Sequence, residues 1–129
     1  MRNNQTDHKD NFDIIFFELN EEECPVQDFL DSLDDKMAAK IYGLMDVLAE
    51  HGNGLREPYS KHLDDGIFEL RAKVGSDITR TLYFFYVGKK IIMTNGFVKK
   101  TQKTPKSVID IAKKYRKMFL EEAKKNENV

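Results

Sequence analysis

Three strand-like segments joined by two tight turns constrain this chain more than anything else in it. Ile67–Val74 (IFELRAKV) alternates, with Phe68, Leu70, Ala72 and Val74 on one side and Glu69, Arg71 and Lys73 on the other. Gly75-Ser76-Asp77 is a turn, and Ile78–Val87 (ITRTLYFFYV) is the most strand-like stretch of the sequence. Gly88-Lys89 is a second tight connection, followed by the strand Lys90–Val98 (KIIMTNGFV). Turns this short join antiparallel neighbours, so these residues predict an antiparallel meander.

The flanking segments complete an α+β pattern. Phe12–Leu19 (FDIIFFEL) reads as a strand. Asn20 is a good N-cap with Glu23 three residues on and Pro25 in the first turn; Val26, Phe29, Leu30 and Leu33 then mark one helical face. A second helix begins near Asp34, carries Met37, Ile41, Leu44, Met45 and Leu48 as its stripe, and stops at Gly52 and Gly54 after His51. Together they predict a helical hairpin with a negative outer face. Tyr59–Leu63 reads as a short strand after Glu57-Pro58. Lys99–Thr104 is a basic loop, and Thr104-Pro105 starts a last helix that runs to about Lys125 with Val108, Ile109, Ala112, Tyr115 and Phe119 buried. Strands and helices come in runs instead of alternating, which is the α+β arrangement. The expected organisation is a disordered polar lead over residues 1–11 and one domain over residues 12–125.

A length of 129 residues suits one domain that holds its core without staples. Lone Cys24 excludes an internal disulfide framework and points to a reducing compartment. Beside Pro25 it reads as a small hydrophobe, not a nucleophile. The longest apolar run, Leu82–Val87, is six residues, against the roughly 18 that span a bilayer. The polar start MRNNQTDHKD lacks the apolar stretch of a signal peptide. A cytoplasmic protein with no membrane partner is the expectation.

The formal net charge of −1 hides a segregation of sign. Residues 1–70 hold 6 Lys/Arg against 17 Asp/Glu, a balance of −11, whereas residues 71–129 hold 15 against 5, a balance of +10. The field around a protein depends on where charges sit. A half this basic suits a phosphate-binding surface. A solvated lysine face balancing an acidic half is the alternative reading of the same numbers.

Several chemistries find no residues to carry them. His8, His51 and His62 are scattered and none pairs with a second ligand at metal spacing. No nucleophile elbow, dinucleotide fingerprint or phosphate loop is present. The positive groups are concentrated on the sheet and the loop after it. Pairing centred on the Gly75-Ser76 turn sets Arg71 opposite Arg80. Like charges so placed repel, so either Glu69 or an anionic ligand must offset them. Lys99, Lys100 and Lys103 follow the last strand, and Tyr59, Tyr83, Tyr86 and Phe97 lie among the charges as core residues or as stacking platforms for bases.

Glu69-Leu70-Arg71, Arg80-Thr81-Leu82-Tyr83-Phe84 and the run Gly96-Phe97-Val98-Lys99-Lys100-Thr101-Gln102-Lys103-Thr104-Pro105, ahead of a helix containing Ala112, resemble the RelE/HigB-type toxins of bacterial type II toxin–antitoxin pairs. The phage-derived HigB-like branch of the RelE/ParE superfamily is the nearest likeness. It covers about residues 12–120, and the last run is its most specific part.

The resemblance implies a RelE-like fold: an N-terminal strand, a helical hairpin, an antiparallel meander and a C-terminal helix. It also implies a ribosome-dependent mRNA endoribonuclease without metal or cofactor. In that chemistry the ribose 2′-OH attacks the adjacent phosphate and leaves a 2′,3′-cyclic end, so charge must be stabilised and protons moved. The implied partners are the ribosome, mRNA and an antitoxin with a helix-turn-helix DNA-binding domain. Arg80 matches the arginine that holds the scissile phosphate, Arg71 a basic position on the strand before it, and Lys99 or Lys100 the basic residue after the last strand. RelE members carry lysines before that arginine, where this chain has Ile67 and Glu69. They also carry a C-terminal tyrosine, where this chain has only Tyr115 on a buried helix face. Lys61, His62 and Glu69 are therefore the candidates for proton transfer. Lys73, Lys103, Lys106, Tyr59 and Phe97 are the candidates for binding RNA. Removal of Arg80 is expected to abolish activity at little cost in stability. A ParE-like inhibitor of DNA gyrase that works by contact alone, or an inactive antitoxin-binding relative, is the competing reading. The nuclease reading requires the cations to gather in one hollow without being neutralised by nearby acids.

Overall fold

The computed structural model describes residues 11–100 and 102–127. The lead expected over residues 1–11 lies outside them except for Asn11. The elements are β1 (Asp13–Phe16), α1 (Pro25–Asp31), α2 (Asp35–His51), a short 3-10 turn (Gly52–Gly54), β2 (Ser60–Asp64), β3 (Ile67–Val74), β4 (Asp77–Tyr86), β5 (Lys90–Val98) and α3 (Lys106–Glu127). The class is α+β, as expected.

The five strands form one sheet in the order β1-β5-β4-β3-β2. The chain leaves β1 at one edge, crosses as α1 and α2, and enters β2 at the far edge. A four-strand antiparallel meander then returns to β1, which β5 meets in parallel. Each hairpin needs only a few turn residues, and Gly75 supplies the positive φ of +62° for the β3–β4 turn.

Both faces of the sheet are covered. On one, Val26 and Leu30 of α1 and Met37, Ile41, Met45 and Leu48 of α2 pack against Leu70, Ala72, Tyr83, Ile91 and Met93. On the other, Ala112 of α3, with Val108, Ile109, Tyr115 and Phe119, covers Ile67, Leu82, Phe84 and Ile92. Burying one such large side chain is worth about 1.5–3 kcal/mol. Gly96 sits where Phe29 reaches the sheet, and a Cβ there would overlap its ring.

Two local expectations are corrected. Asn20 does not cap a helix: its Oδ1 accepts from the N–H groups of Glu22 and Glu23 at 2.9 and 3.0 Å, and its Nδ2 donates to Glu23 Oε1 at 2.8 Å. A short amide side chain closes a turn as readily as it caps a helix. The helix begins instead at Pro25, and this turn follows closely on a strand shortened to Asp13–Phe16. The solvated lysine face offered as the alternative reading of the charge is also not what the polar side of β3 forms around Glu69, although Lys73 is exposed. With α3 and its preceding loop over it, Glu69 is 1% exposed and Arg80 5%. Asp34, by contrast, caps α2 as expected by accepting from Met37 N–H at 2.8 Å.

Candidate functional site

The β3–β4 register places Arg71 opposite Arg80, as the turn arithmetic requires. Phe97 lies opposite Arg80 on the next strand, and Lys61 opposite Glu69 on β2. All four strands of the meander thus deliver a side chain to the α3 face of the sheet. The offsetting acid is Glu69. Its Oε2 accepts from Arg71 Nε at 3.0 Å and from Arg80 Nη1 in a shorter contact, while its Oε1 accepts from the Thr104 hydroxyl. One buried carboxylate therefore ties β3 to β4 and to the loop ahead of α3. The Nε of Arg80 is buried without a partner among the described residues.

Beside this cluster is a groove of about 230 Å³. Lys61, His62, Arg71, Arg80 and Lys103 line it together with Glu69; Leu63, Gln102, Thr104 and Ile109 complete the wall. The cations therefore gather in one hollow as the nuclease reading requires, but Glu69 takes both arginines, so the requirement that no acid neutralise them is met only in part. Arg71 is the better exposed arginine, its side chain 25% accessible against 6% for Arg80. It also reaches Glu57 Oε1 at 3.4 Å. The Lys99 ammonium is held below its ordinary range by desolvation and then by the Arg80 and Arg71 charges, with Glu69 opposing. That places Lys99 within the field of the same cluster.

The remaining candidates are placed less centrally. His62 borders the groove, but its Nε2 accepts from Gly66 N–H at 3.0 Å and its ring meets Phe68 edge-on at 5.0 Å. Only its Nδ1 is then free of the β2–β3 turn. Lys100 is exposed at the end of β5. Lys106 is exposed and pairs with Asp110 at 3.0 Å. Phe97 is partly buried under α3. Tyr59 and Lys73 line a different groove, at the outer edge of β3, that shares Arg71 and Arg80. Tyr115 stacks on Phe17 at 4.8 Å, so the one tyrosine of α3 is spent on packing.

Thr104 and Gln102 were not singled out as site residues. Thr104 carried the weak signal of a hydroxyl beside a helix-starting proline, yet its bond to Glu69 spans 35 residues. Two ion pairs clamp α3 to the β2–β3 turn: Lys113 Nζ to Asp64 Oδ2 at 2.5 Å and Arg116 Nη2 to Asp65 Oδ2 at 2.9 Å. Among the described residues no three His, Cys, Asp or Glu side chains are grouped to hold a metal ion, and no helix is long and apolar enough to cross a membrane.

Over residues 28–117 the sequence matches the family described as Phage derived protein Gp49-like (DUF891). A comparison with curated proteins found no match. Among solved structures the chain is similar to one in the crystal structure of an archaeal RelE–RelB complex from Pyrococcus horikoshii OT3. The identity is 17% and the TM-score 0.45, over 68% of this chain and 94% of that one.

Proposed function

This chain belongs to the phage-derived Gp49-like family, a RelE-like toxin family, and on that premise we propose that it is a metal-independent endoribonuclease acting on mRNA at the ribosome. The family makes it a toxin of a toxin–antitoxin system. The observation that carries the finer reading is the groove in which Lys61, Arg71, Arg80 and Lys103 face a single carboxylate. A phosphate passing from a diester to a five-coordinate dianion gains charge, and fixed cations in a partly dry groove stabilise that charge most.

The residues divide by exposure. Arg71 reaches the phosphate. Arg80, buried against Glu69, acts from behind it and keeps the guanidinium pair in place. The 2′-oxygen loses its proton as it attacks phosphorus, and the 5′-oxygen gains one as its P–O bond breaks. The products are a 2′,3′-cyclic phosphate and a 5′-OH. Lys99 suits the second transfer, because its lowered pKa makes the ammonium a better acid. Lys61, or His62 through Nδ1, suits the first. Lys100, Lys103 and Lys106 extend the positive track for RNA, whereas Tyr59, in the neighbouring groove, and Phe97, partly buried under α3, stand apart from it. An antitoxin with a helix-turn-helix DNA-binding domain is the cognate partner in this reading.

The test is induction in a bacterium with 5′-end mapping of reporter messages, repeated on purified ribosomes. New 5′ ends that depend on ribosomes and on Arg71 support the proposal. Growth arrest with unchanged message ends overturns it. A contact-only toxin has one observation in its favour, the occupation of both arginines by Glu69. Cleaved DNA trapped on gyrase, with intact message, would select that reading.

A further inference from the structure

The two oxygens of Glu69 are used unequally. Oε2 accepts from both Arg71 Nε and Arg80 Nη1, whereas Oε1 accepts from the Thr104 hydroxyl. A carboxylate turns readily about its last side-chain bond. Left to itself it would offer a guanidinium two parallel bonds, the strongest pairing the two groups make. Here Arg71 is held by Nε alone. Its Nη1 reaches only the well-exposed Glu57 at 3.4 Å, and its Nη2 has no acceptor among the described residues. The outer nitrogens of Arg71 are thus spared by the same arrangement that engages Thr104.

Thr104 is not needed to hold α3 in place. The helix has three other ties to the sheet and its turn: Asn95 Nδ2 donates to Val108 C=O at 3.2 Å, Lys113 pairs with Asp64, and Arg116 pairs with Asp65. The start of the loop ahead of it is fastened by Lys99 N–H on Ile78 C=O at 2.8 Å. What depends on the Thr104 hydroxyl is the orientation of one buried carboxylate, and with it the share of Arg71 that Glu69 takes.

We propose that Thr104 is a positioning residue that acts through Glu69. Its hydroxyl turns the carboxylate so that one oxygen serves both arginines and the outer nitrogens of Arg71 stay available to a phosphate. Without it, Glu69 rotates, takes Arg71 side-on and competes with the phosphate for the same donors. The consequence for cleavage rests on the function proposed above; the consequence for binding a phosphodiester does not.

The experiment compares the full chain with Thr104→Val, which keeps the shape without the hydroxyl, and Thr104→Ser, which keeps the hydroxyl. The probe is a single-stranded DNA oligonucleotide. It carries phosphodiesters but no 2′-OH, so binding is read without cleavage. Thr104→Val should weaken binding about tenfold, the scale of one hydrogen bond to a charged group, and Thr104→Ser should restore most of it. The nitrogen-15 resonances of the arginine side chains give the second readout. In Thr104→Val without ligand the Arg71 Nε signal should shift, while the backbone amides of α3 around Ala112 stay in place. In a Glu69→Gln background the valine substitution should cost no further binding; should that background not fold, the arginine spectrum and the serine variant decide. Parent-like binding by Thr104→Val, an unmoved Arg71 signal, or a serine variant no better than valine would overturn the proposal. So would displaced α3 amides, which would make Thr104 a tether of the helix. A chain that meets these expectations and leaves messages intact sinks the nuclease reading alone. A chain that cleaves messages, with Thr104→Val equal to the parent in binding and cleavage, sinks only this one.

Discussion

Arg71 and Arg80 stand opposite each other across the β3–β4 ladder and donate to the same oxygen of Glu69. Neither arginine can then be treated as an independent cation. Removing Arg80 leaves a carboxylate 1% exposed with half its charge partners gone, and removing Glu69 leaves Arg80 buried and uncompensated. Breaking a buried pair from one side costs about 3–5 kcal/mol. Arg80→Ala and Glu69→Ala should each destabilise by that order in urea unfolding. The double variant should cost clearly less than the sum, with a coupling of about 1–3 kcal/mol. This revises the expectation that Arg80 is cheap to remove. Strictly additive losses would show that the pair does not act as a unit.

Arg71 is the cleaner probe of function. Its side chain is a quarter exposed, and its second acid, Glu57, is well exposed at 3.4 Å. Exposed ion pairs are worth about 0–1 kcal/mol. Arg71→Ala also takes one of two cations from buried Glu69, so it should lower the unfolding midpoint, though less than Arg80→Ala because the Arg71 side chain is a quarter exposed. Losing one charge-stabilising donor should slow message cleavage about 10²–10³-fold. The checks are 5′-end mapping on purified ribosomes beside a thermal melt. Full cleavage by a folded Arg71→Ala chain would remove Arg71 from the chemistry.

The meander was legible because its signals are local. Alternation over Ile67–Val74 assigns Leu70 and Ala72 to the hairpin face, and the Gly75 turn fixes the Arg71–Arg80 register. Burial of the other face was not legible in β3 itself. The alternation gives only that Glu69 and Arg71 share a side; that Glu69 is buried there depends on α3 and the Thr104 loop, which come more than 30 residues later. The Asn20 turn shows the same limit at shorter range, since one side chain serves as turn or cap and the chain path decides. The site was half legible. Its cations were named, but the Thr104–Glu69 bond joins residues 35 apart and leaves no periodic trace.

The Asp64–Lys113 pair predicts a pH dependence of known sign. Its hydrogen bond to Lys113 holds the Asp64 carboxyl below its ordinary 3.8, and the same bond raises Lys113 above its ordinary 10.5. The depressed acid contributes stability above pH 3.8, lost as pH falls through its folded value. The raised base contributes stability below pH 10.5, lost as pH rises through its own. Lys113→Met should thus melt earlier than the parent between those limits, and the two melting curves should converge once pH has fallen through the folded value of Asp64 or risen through that of Lys113. Burial pushes Tyr83 up to about 12, which removes stability between pH 10 and 12 in both proteins and cancels in the difference. A gap that does not shrink as Asp64 takes up its proton in acid would assign the effect to packing of the Lys113 stem.

Lys99 links the site to proton uptake. Desolvation and the neighbouring Arg80 and Arg71 charges lower its pKa in the free chain, so it begins to lose its proton below the ordinary lysine range. The phosphodiester anions of bound RNA add opposing charge in the groove, and opposite charge favours the ammonium. Binding an RNA oligonucleotide at a pH close to that lowered pKa should then take up a proton, and affinity should fall as pH rises through the free-chain pKa of Lys99. Titration calorimetry in two buffers of different ionisation enthalpy measures that proton directly. Lys99→Arg keeps the charge but does not titrate in this range, so it should bind RNA with a flat pH profile and no uptake. If parent and variant take up the same proton, the titrating group is elsewhere, and Lys99 loses its place as the acid that serves the leaving oxygen.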